Sequence, residues 1–212
     1  MHHIVEHFGV SVSAISGVLA ARGKQVDLFG VIVLALVSGL GGGTIRDLIL
    51  QNGPVFWLND QNFLINAFIT AIITFFLVRY HEFRTTVLMV ADAFSLAFFT
   101  IVGTQKGLAV PTPPGVAILM GVITGVGGGI LRDLLLGEIP LVFRRQIYLY
   151  ATAAFCGSAL YVLVVRLGVE PATAMAAGII VTLSLRLAGI WWKLALPIFQ
   201  PKDTSPPPPK NA

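Results

Sequence analysis

The sequence predicts an all-α polytopic membrane protein, and three observations carry that prediction. Of its 212 residues, 56% are hydrophobic and only 11% charged, with a mean hydropathy of +0.85, outside the range of ordinary soluble domains. The apolar residues gather into seven runs, each about the 20 residues a helix needs to cross a hydrocarbon core. The first six runs form two copies of one three-span unit in ungapped register, and the seventh stands alone. The expected plan is therefore seven transmembrane helices, a 3+3 inverted repeat plus one extra C-terminal helix.

The first span runs from Ile4 to Ala21. Glu6 stands where a signal peptide carries basic residues and no cleavage site follows, so this span is expected to be retained. Gly9, Ser13, Gly17 and Ala21 form a small-residue ridge along it, suited to helix packing. The second span, Leu28 to Leu50, contains Gly41-Gly42-Gly43 followed by Thr44-Ile45-Arg46-Asp47. Each glycine weakens a helix by roughly 1 kcal/mol relative to alanine, and backbone loosened in lipid must find partners or line a wet cavity. The second helix is accordingly expected to be broken at the triplet.

The third span, Phe63 to Tyr80, carries Asn62, Asn66, Thr70 and Thr74 at intervals of four, giving it one polar face. That face suits hydrogen bonding to another helix or the lining of a polar path. The fourth span is Val87 to Thr104. The fifth, Gly115 to Leu136, repeats the glycine triplet as Gly127-Gly128-Gly129-Ile130-Leu131-Arg132-Asp133 and is expected to break in the same way. The sixth, Ile147 to Val165, has a weaker stripe of Tyr148, Thr152, Cys156 and Leu160. Cys156 is the only cysteine, which excludes an intrachain disulfide; among Ala153, Ala154, Phe155 and Gly157 it reads as a small buried residue. In the seventh span, Ala172 to Ile190, Arg186 is expected to snorkel to the interface, and Trp191 and Trp192 before Lys193 suit an interfacial anchor. Residues 1–196 thus form one transmembrane domain, with repeat one at about 4–80, repeat two at about 87–166 and the seventh helix at about 172–190. Residues 197–212, with four successive prolines, read as a short polyproline or disordered cytoplasmic tail.

The net charge of +4 is distributed at span ends, which marks topology and not a nucleic-acid surface. Arg22 and Lys24, Arg79 and Arg84, Arg144 and Arg145, and Lys193, Lys202 and Lys210 fall in alternate connections, whereas the opposite side keeps mainly Lys106 and Arg166. The positive-inside rule then puts the N-terminus outside and the C-terminus in the cytoplasm, as an odd number of spans requires.

Gly127 follows Gly41 by 86 residues, and that offset also pairs Glu6 with Asp92, Ile15 with Ile101, Gly17 with Gly103, Gly39 with Gly125, Leu50 with Leu136 and Pro54 with Pro140. Three spans per copy is an odd number, so the second copy enters from the opposite face, related by a pseudo-two-fold axis in the membrane plane. Interrupted helices at matching positions of such repeats point to a permeation or binding site. The spacing Gly39-xxx-Gly43 and Gly125-xxx-Gly129 also suits a close helix crossing.

A broken helix offers free carbonyls, which favour cations, beside free N–H groups, which favour anions. Gly41, Gly42, Gly43, Gly127, Gly128 and Gly129 are therefore candidate hinges, and Ser38, Thr70, Thr74 and Thr124 candidate pore-lining hydroxyls. Neighbours in sequence do not face each other on a helix, so Arg46 and Asp47, like Arg132 and Asp133, are each expected to find another partner or water. Glu6 and Asp92, at matching places on the first helix of each repeat, are the natural partners. These six charges suit packing salt bridges or the walls of wet vestibules. Gly39-x-Gly41-x-x-Thr44 lacks the last glycine of a dinucleotide fingerprint, and no Walker lysine follows either triplet. The histidines show no metal-ligand spacing and no nucleophile–base pair is evident. Neither an enzyme nor a cofactor or resident metal is expected.

The segments Gly39–Asp47 and Gly125–Asp133, Ala91-Asp92-Ala93 leading to Val102-Gly103-Thr104-Gln105-Lys106, and the closing Leu185-Arg186-Leu187-Ala188 resemble prokaryotic members of the TRIC family, the trimeric intracellular cation channels. The resemblance spans nearly the whole chain. It implies a homotrimer in a prokaryotic inner membrane, with a pore inside each protomer between the bent second and fifth helices. The permeant ions it implies are monovalent cations, chiefly K⁺ with Na⁺, bound only in transit. Animal members carry a lysine before the second glycine cluster, tied to phosphoinositide binding; this chain has Val126 there. Prokaryotic relatives have also been labelled glycine transporters, so a carrier for a small zwitterion stands as the alternative, with Arg46 or Arg132 holding its carboxylate.

Overall fold

The computed structural model describes residues 2–81, 83–144 and 149–193. The Pro-rich segment 197–212, the basic residues Arg145, Lys202 and Lys210, and Ile147 and Tyr148 of the expected sixth span lie outside the described residues. The chain forms α1 (His2–Ala20), α2 (Leu28–Leu50), α3 (Phe56–Asn59), α4 (Asn62–Tyr80), α5 (Thr85–Leu108), α6 (Pro114–Leu135), a 3-10 turn (Leu141–Phe143), α7 (Tyr150–Arg166) and α8 (Pro171–Trp192). The architecture is all-helical among the described residues. Six helices are long and apolar enough to cross a membrane, and α7, at 17 residues, is apolar but shorter.

Local chemistry sets the helix ends. Asp27 caps α2 by accepting from the Gly30 N–H at 2.8 Å, satisfying one of the orphan donors of the first turn. Proline opens α6 and α8, where its missing N–H costs nothing. The small elements α3 and the 3-10 turn were not expected from the sequence. They follow α2 and α6 at nearly matching positions of the two repeats, where each folds back on its helix.

Helices α1, α2 and α4 pack together, as do α5, α6 and α7. The two bundles meet through α1 on α5 and α2 on α6, while α8 lies against α5 and α7. Gly17 seats α1 on the backbone of Leu34 and Ala35, so the small-residue ridge of the first span is a packing surface.

The expected breaks at the glycine triplets are absent. Helices α2 and α6 run through Gly41–Gly43 and Gly127–Gly129 without interruption. Keeping the hydrogen-bond ladder whole satisfies every backbone group in lipid, and the missing side chains serve close approach instead. A Cβ on Gly42 would collide with the carbonyl oxygen of Thr124, and one on Gly128 with that of Ser38. As the residue number rises along α2 it falls along α6, so the helices cross antiparallel. The contacts are also reciprocal: Ser38 and Gly42 are the repeat counterparts of Thr124 and Gly128, the pattern a two-fold relation produces. Gly39 and Gly125 instead face α1 and α5, against the carbonyls of Val10 and Leu96, themselves repeat counterparts.

Candidate functional site

The α2–α6 crossing is the centre of the site. Gly41 and Gly127 flank it, close to Leu131 and to the Gly42 Cα respectively, while Gly43 lies against the Phe56 ring and Gly129 beside Tyr150 and Asp92. Ser38 and Thr124 are both buried there. The Ser13 hydroxyl donates to the Ser38 carbonyl at 2.8 Å, and the Ser16 hydroxyl approaches the Ser38 hydroxyl at 3.4 Å. The Thr124 hydroxyl donates within its own helix, to the Met120 carbonyl at 2.6 Å.

The Arg-Asp neighbours pair directly, contrary to the sequence expectation. Arg46 Nε donates to Asp47 Oδ1 at 2.7 Å, and Arg132 Nε to Asp133 Oδ1 at 2.8 Å. Both guanidinium groups are buried, where an unpaired charge is costly, and an arginine stem is long enough to bend around its helix to the adjacent carboxylate. The second oxygen of each aspartate holds the returning chain. Asp47 Oδ2 accepts from the Phe56 N–H at 2.9 Å, and Asp133 Oδ2 from the Leu141 N–H at 2.8 Å. Each aspartate thus closes the end of its helix, fastening α3 or the 3-10 turn. Arg46 Nη2 and Arg132 Nη2, again repeat counterparts, have no hydrogen-bond partner among the described residues.

Beyond that shared unit the ends differ. Arg132 Nη1 donates to Asp92 Oδ1 at 3.1 Å and to the Ser16 hydroxyl at 2.9 Å, so Asp92 takes the expected role. Its other oxygen lies 3.8 Å from Arg186 Nη2. Arg186 does not snorkel. It is fully buried, with its guanidinium 4.4 Å from the centre of the Tyr150 ring, because Asp92 and the ring supply partners inside the bundle. Glu6 does not reach Arg46; it pairs with Lys106 at 3.1 Å. Lys106 and Arg46 each lie 5.6 Å from the Phe56 ring centre. This end opens into a cavity of about 300 Å³ lined by Glu6, Asp47, Phe56, Asn59, Asp60 and Lys106.

The polar face of α4 serves helix contact. Asn66 donates to the His7 carbonyl at 2.8 Å and accepts from the Ser11 hydroxyl at 2.8 Å and from the Thr70 hydroxyl at 3.2 Å. Thr74 is buried and Asn62 exposed. The stripe sews α4 to α1 away from the crossing. Cys156, expected inside, is exposed, because it shares the outward face of α7 with Phe155. Phe56, Tyr150, Lys106 and Arg186 were not singled out as site residues from the sequence. An arginine inside an apolar run is itself a signal that a partner exists, and Arg186 carried it.

Known proteins share this arrangement. The family model described as "Glycine transporter" matches residues 3–79 and again 89–166, one match per repeat. The UPF0126 inner membrane protein YadS of Escherichia coli K12 is 46% identical over 193 residues, covering 90% of this chain and 92% of that protein. A UPF0126 membrane protein of Vibrio cholerae is 44% identical over 198 residues, 93% of this chain and 82% of its own length. Among solved structures, the TRIC trimeric intracellular cation channel orthologue from Rhodobacter sphaeroides superposes with a TM-score of 0.86 at 37% identity, covering 91% of this chain and 98% of that one. A second TRIC cation channel structure gives 0.85 at 34% identity, covering 94% and 98%. With two family-model matches, one on each repeat, and the same helical arrangement as solved TRIC channels, this integral membrane protein belongs to the TRIC family.

Proposed function

We propose that the protein is a K⁺-permeable monovalent cation channel whose ion path runs within each protomer, between α2 and α6. The observation that carries this reading is the reciprocal crossing at Gly42 and Gly128. Two helices meet there on backbone, with the carbonyls of Ser38 and Thr124 turned to the partner helix, and a cavity bearing carboxylates adjoins one end. Parting α2 and α6 and opening their ladders at the glycines would free those carbonyls, oxygen ligands of the kind that replace a cation's hydration shell. The Nη2 atoms of Arg46 and Arg132, without a hydrogen-bond partner among the described residues, support water beside the same crossing, since a buried unsatisfied donor costs about 1–3 kcal/mol. The pairing of each arginine with an aspartate offsets the positive charge that would repel a passing cation.

In this reading the glycine triplets act as hinges, and closure is the packed crossing. Helix α7, the repeat counterpart of α4, makes the sixth crossing of the membrane, and α8 the seventh. The likeness to structures described as TRIC cation channels favours a channel over a zwitterion carrier. Likeness to the trimeric orthologue supports a homotrimer embedded in lipid. The basic connections support an N-terminus outside and a C-terminus in the cytoplasm of a bacterial inner membrane.

Recording from purified protein in planar bilayers tests the proposal. Unitary ohmic currents that reverse near the K⁺ equilibrium potential are expected, and Gly42→Leu or Gly128→Leu should abolish them while the trimer survives on size exclusion. Saturable glycine counterflow without unitary currents would overturn the channel reading.

A further inference from the structure

We propose that the ε-ammonium of Lys106 is a tethered cation that occupies a cation-binding position beside Glu6, and that a permeant cation takes this position when Lys106 swings out. The proposal rests on the channel reading for its role in conduction, but not for the existence of the site.

The two ends of the protomer supply the reasoning. Glu6 and Asp92 are repeat counterparts, and each meets a cation held near an aromatic ring. At Asp92, besides Arg132 at 3.1 Å, a second cation is Arg186 over Tyr150, at 3.8 Å and 4.4 Å. At Glu6 it is Lys106 near Phe56, at 3.1 Å and 5.6 Å. Arg186 and Lys106 are not produced by the repeat, unlike Arg132: Arg186 comes from α8, outside both copies, and the counterpart of Lys106 is Ala20. Two unrelated additions thus supply positive charge to equivalent acids, so each place suits a cation.

Their accessibility separates them. The Asp92 and Arg186 side chains are 4% and 0% exposed, closed to any ion from solution. The Lys106 side chain is 36% exposed and lines the 300 Å³ cavity together with Glu6, Asp47, Asn59 and Asp60. A lysine ends in a compact, strongly hydrated point charge on a flexible four-carbon stem, the side-chain group nearest in kind to a hydrated alkali ion. The Glu6 carboxylate is mostly covered, at 12% exposed, but the lysine end reaches solvent, where its charge is hydrated and screened by salt, so the ammonium is displaceable. With it withdrawn, the Glu6 carboxylate, the Phe56 ring face and the nearby Asn59 amide are left for an incoming cation.

Thallium(I), as a K⁺ analogue, is the probe. Titration of purified wild-type, Lys106→Gln and Lys106→Met protein, followed by ²⁰⁵Tl NMR, should show saturable binding roughly fivefold tighter in the two variants, the competition that an ion pair with one solvated partner, worth about 1 kcal/mol, exerts. Lys106→Arg should bind as wild type does, and adding Glu6→Gln to Lys106→Met should remove the gain. In bilayers, Lys106→Met should raise unitary conductance at low KCl and converge on wild type at high KCl. Methionine keeps an apolar stem near Phe56, so the test survives if the glutamine variant does not fold. Unchanged thallium binding in folded Lys106→Met would overturn the proposal. Absence of unitary currents from wild type would sink the channel reading alone, because the thallium titration decides the site independently.

Discussion

The two ends of the α2–α6 pair carry the same Arg-Asp dipeptide and put it in different surroundings. At the α6 end, Arg132, Asp133, Asp92 and Arg186 form a buried cluster of two positive and two negative charges, with Tyr150 beneath Arg186. At the α2 end, Arg46 and Asp47 keep the same bond, but Glu6 is turned to Lys106 and a cavity reaches them. The repeat conserves the unit that closes each helix and frees the acid on the neighbouring helix to diverge. One end is built as a sealed anchor and the other as an opening.

The sharpest way to break that contrast is to neutralise the two acids. Asp92→Asn leaves Arg132 and Arg186 buried with too little negative charge and should cost about 3–5 kcal/mol, seen as a large fall in thermal midpoint in detergent or as lost folded yield. Glu6→Gln, at the open end, should cost clearly less, about 1 kcal/mol, because Lys106, 36% exposed, can turn to solvent. Equal losses would mean the ends are not differently sealed.

The glycines test the part of the molecule that stays symmetric. Gly42→Ala and Gly128→Ala each force a methyl group onto a carbonyl of the facing helix, so each should cost about 1–3 kcal/mol, and by similar amounts. A strong inequality in their thermal midpoints would refute the reciprocal crossing. Ser13→Ala removes the hydroxyl bonded to the Ser38 carbonyl, a bond with no counterpart because Phe99 stands at the matching place. It should cost about 1 kcal/mol, and unfolding in denaturant is sensitive enough to read it.

The smallest effect lies outside the membrane. Lys24, in the α1–α2 connection, bonds Glu138 beyond the end of α6, and Arg144 approaches the same carboxylate at 3.4 Å. The hydrogen bond from Lys24 holds the Glu138 carboxyl below its ordinary value. A depressed carboxylate lends stability at neutral pH that is lost as pH falls through the ordinary glutamate range and then the lowered value. Glu138→Gln should therefore shift the thermal midpoint slightly at pH 7 and not at all well below pH 4. A shift that persists in acid would assign the residue a packing role.

Much of this fold was legible in the sequence because its signals are local or periodic. Apolar runs of membrane length gave the helices to within a few residues, and the offset of 86 gave the repeat that the two family-model matches reproduce. The glycine triplets were located correctly and their local effect misjudged: helix propensity predicted a break, whereas lipid enforces the backbone ladder and a facing helix uses the absent side chains. Asp92 was matched to Arg132 because symmetry suggested it. Glu6 escaped the same logic because Lys106, 100 positions along the chain, reaches it instead.

By itself the sequence determined that this chain spans a membrane as two related bundles entering from opposite faces, since hydrophobic length and repeat register are written along one dimension. Only the tertiary structure decided what the glycines touch and which cation neutralises which acid. Those outcomes depend on distances between helices far apart in the chain, and a buried charge takes whatever partner packing brings within reach.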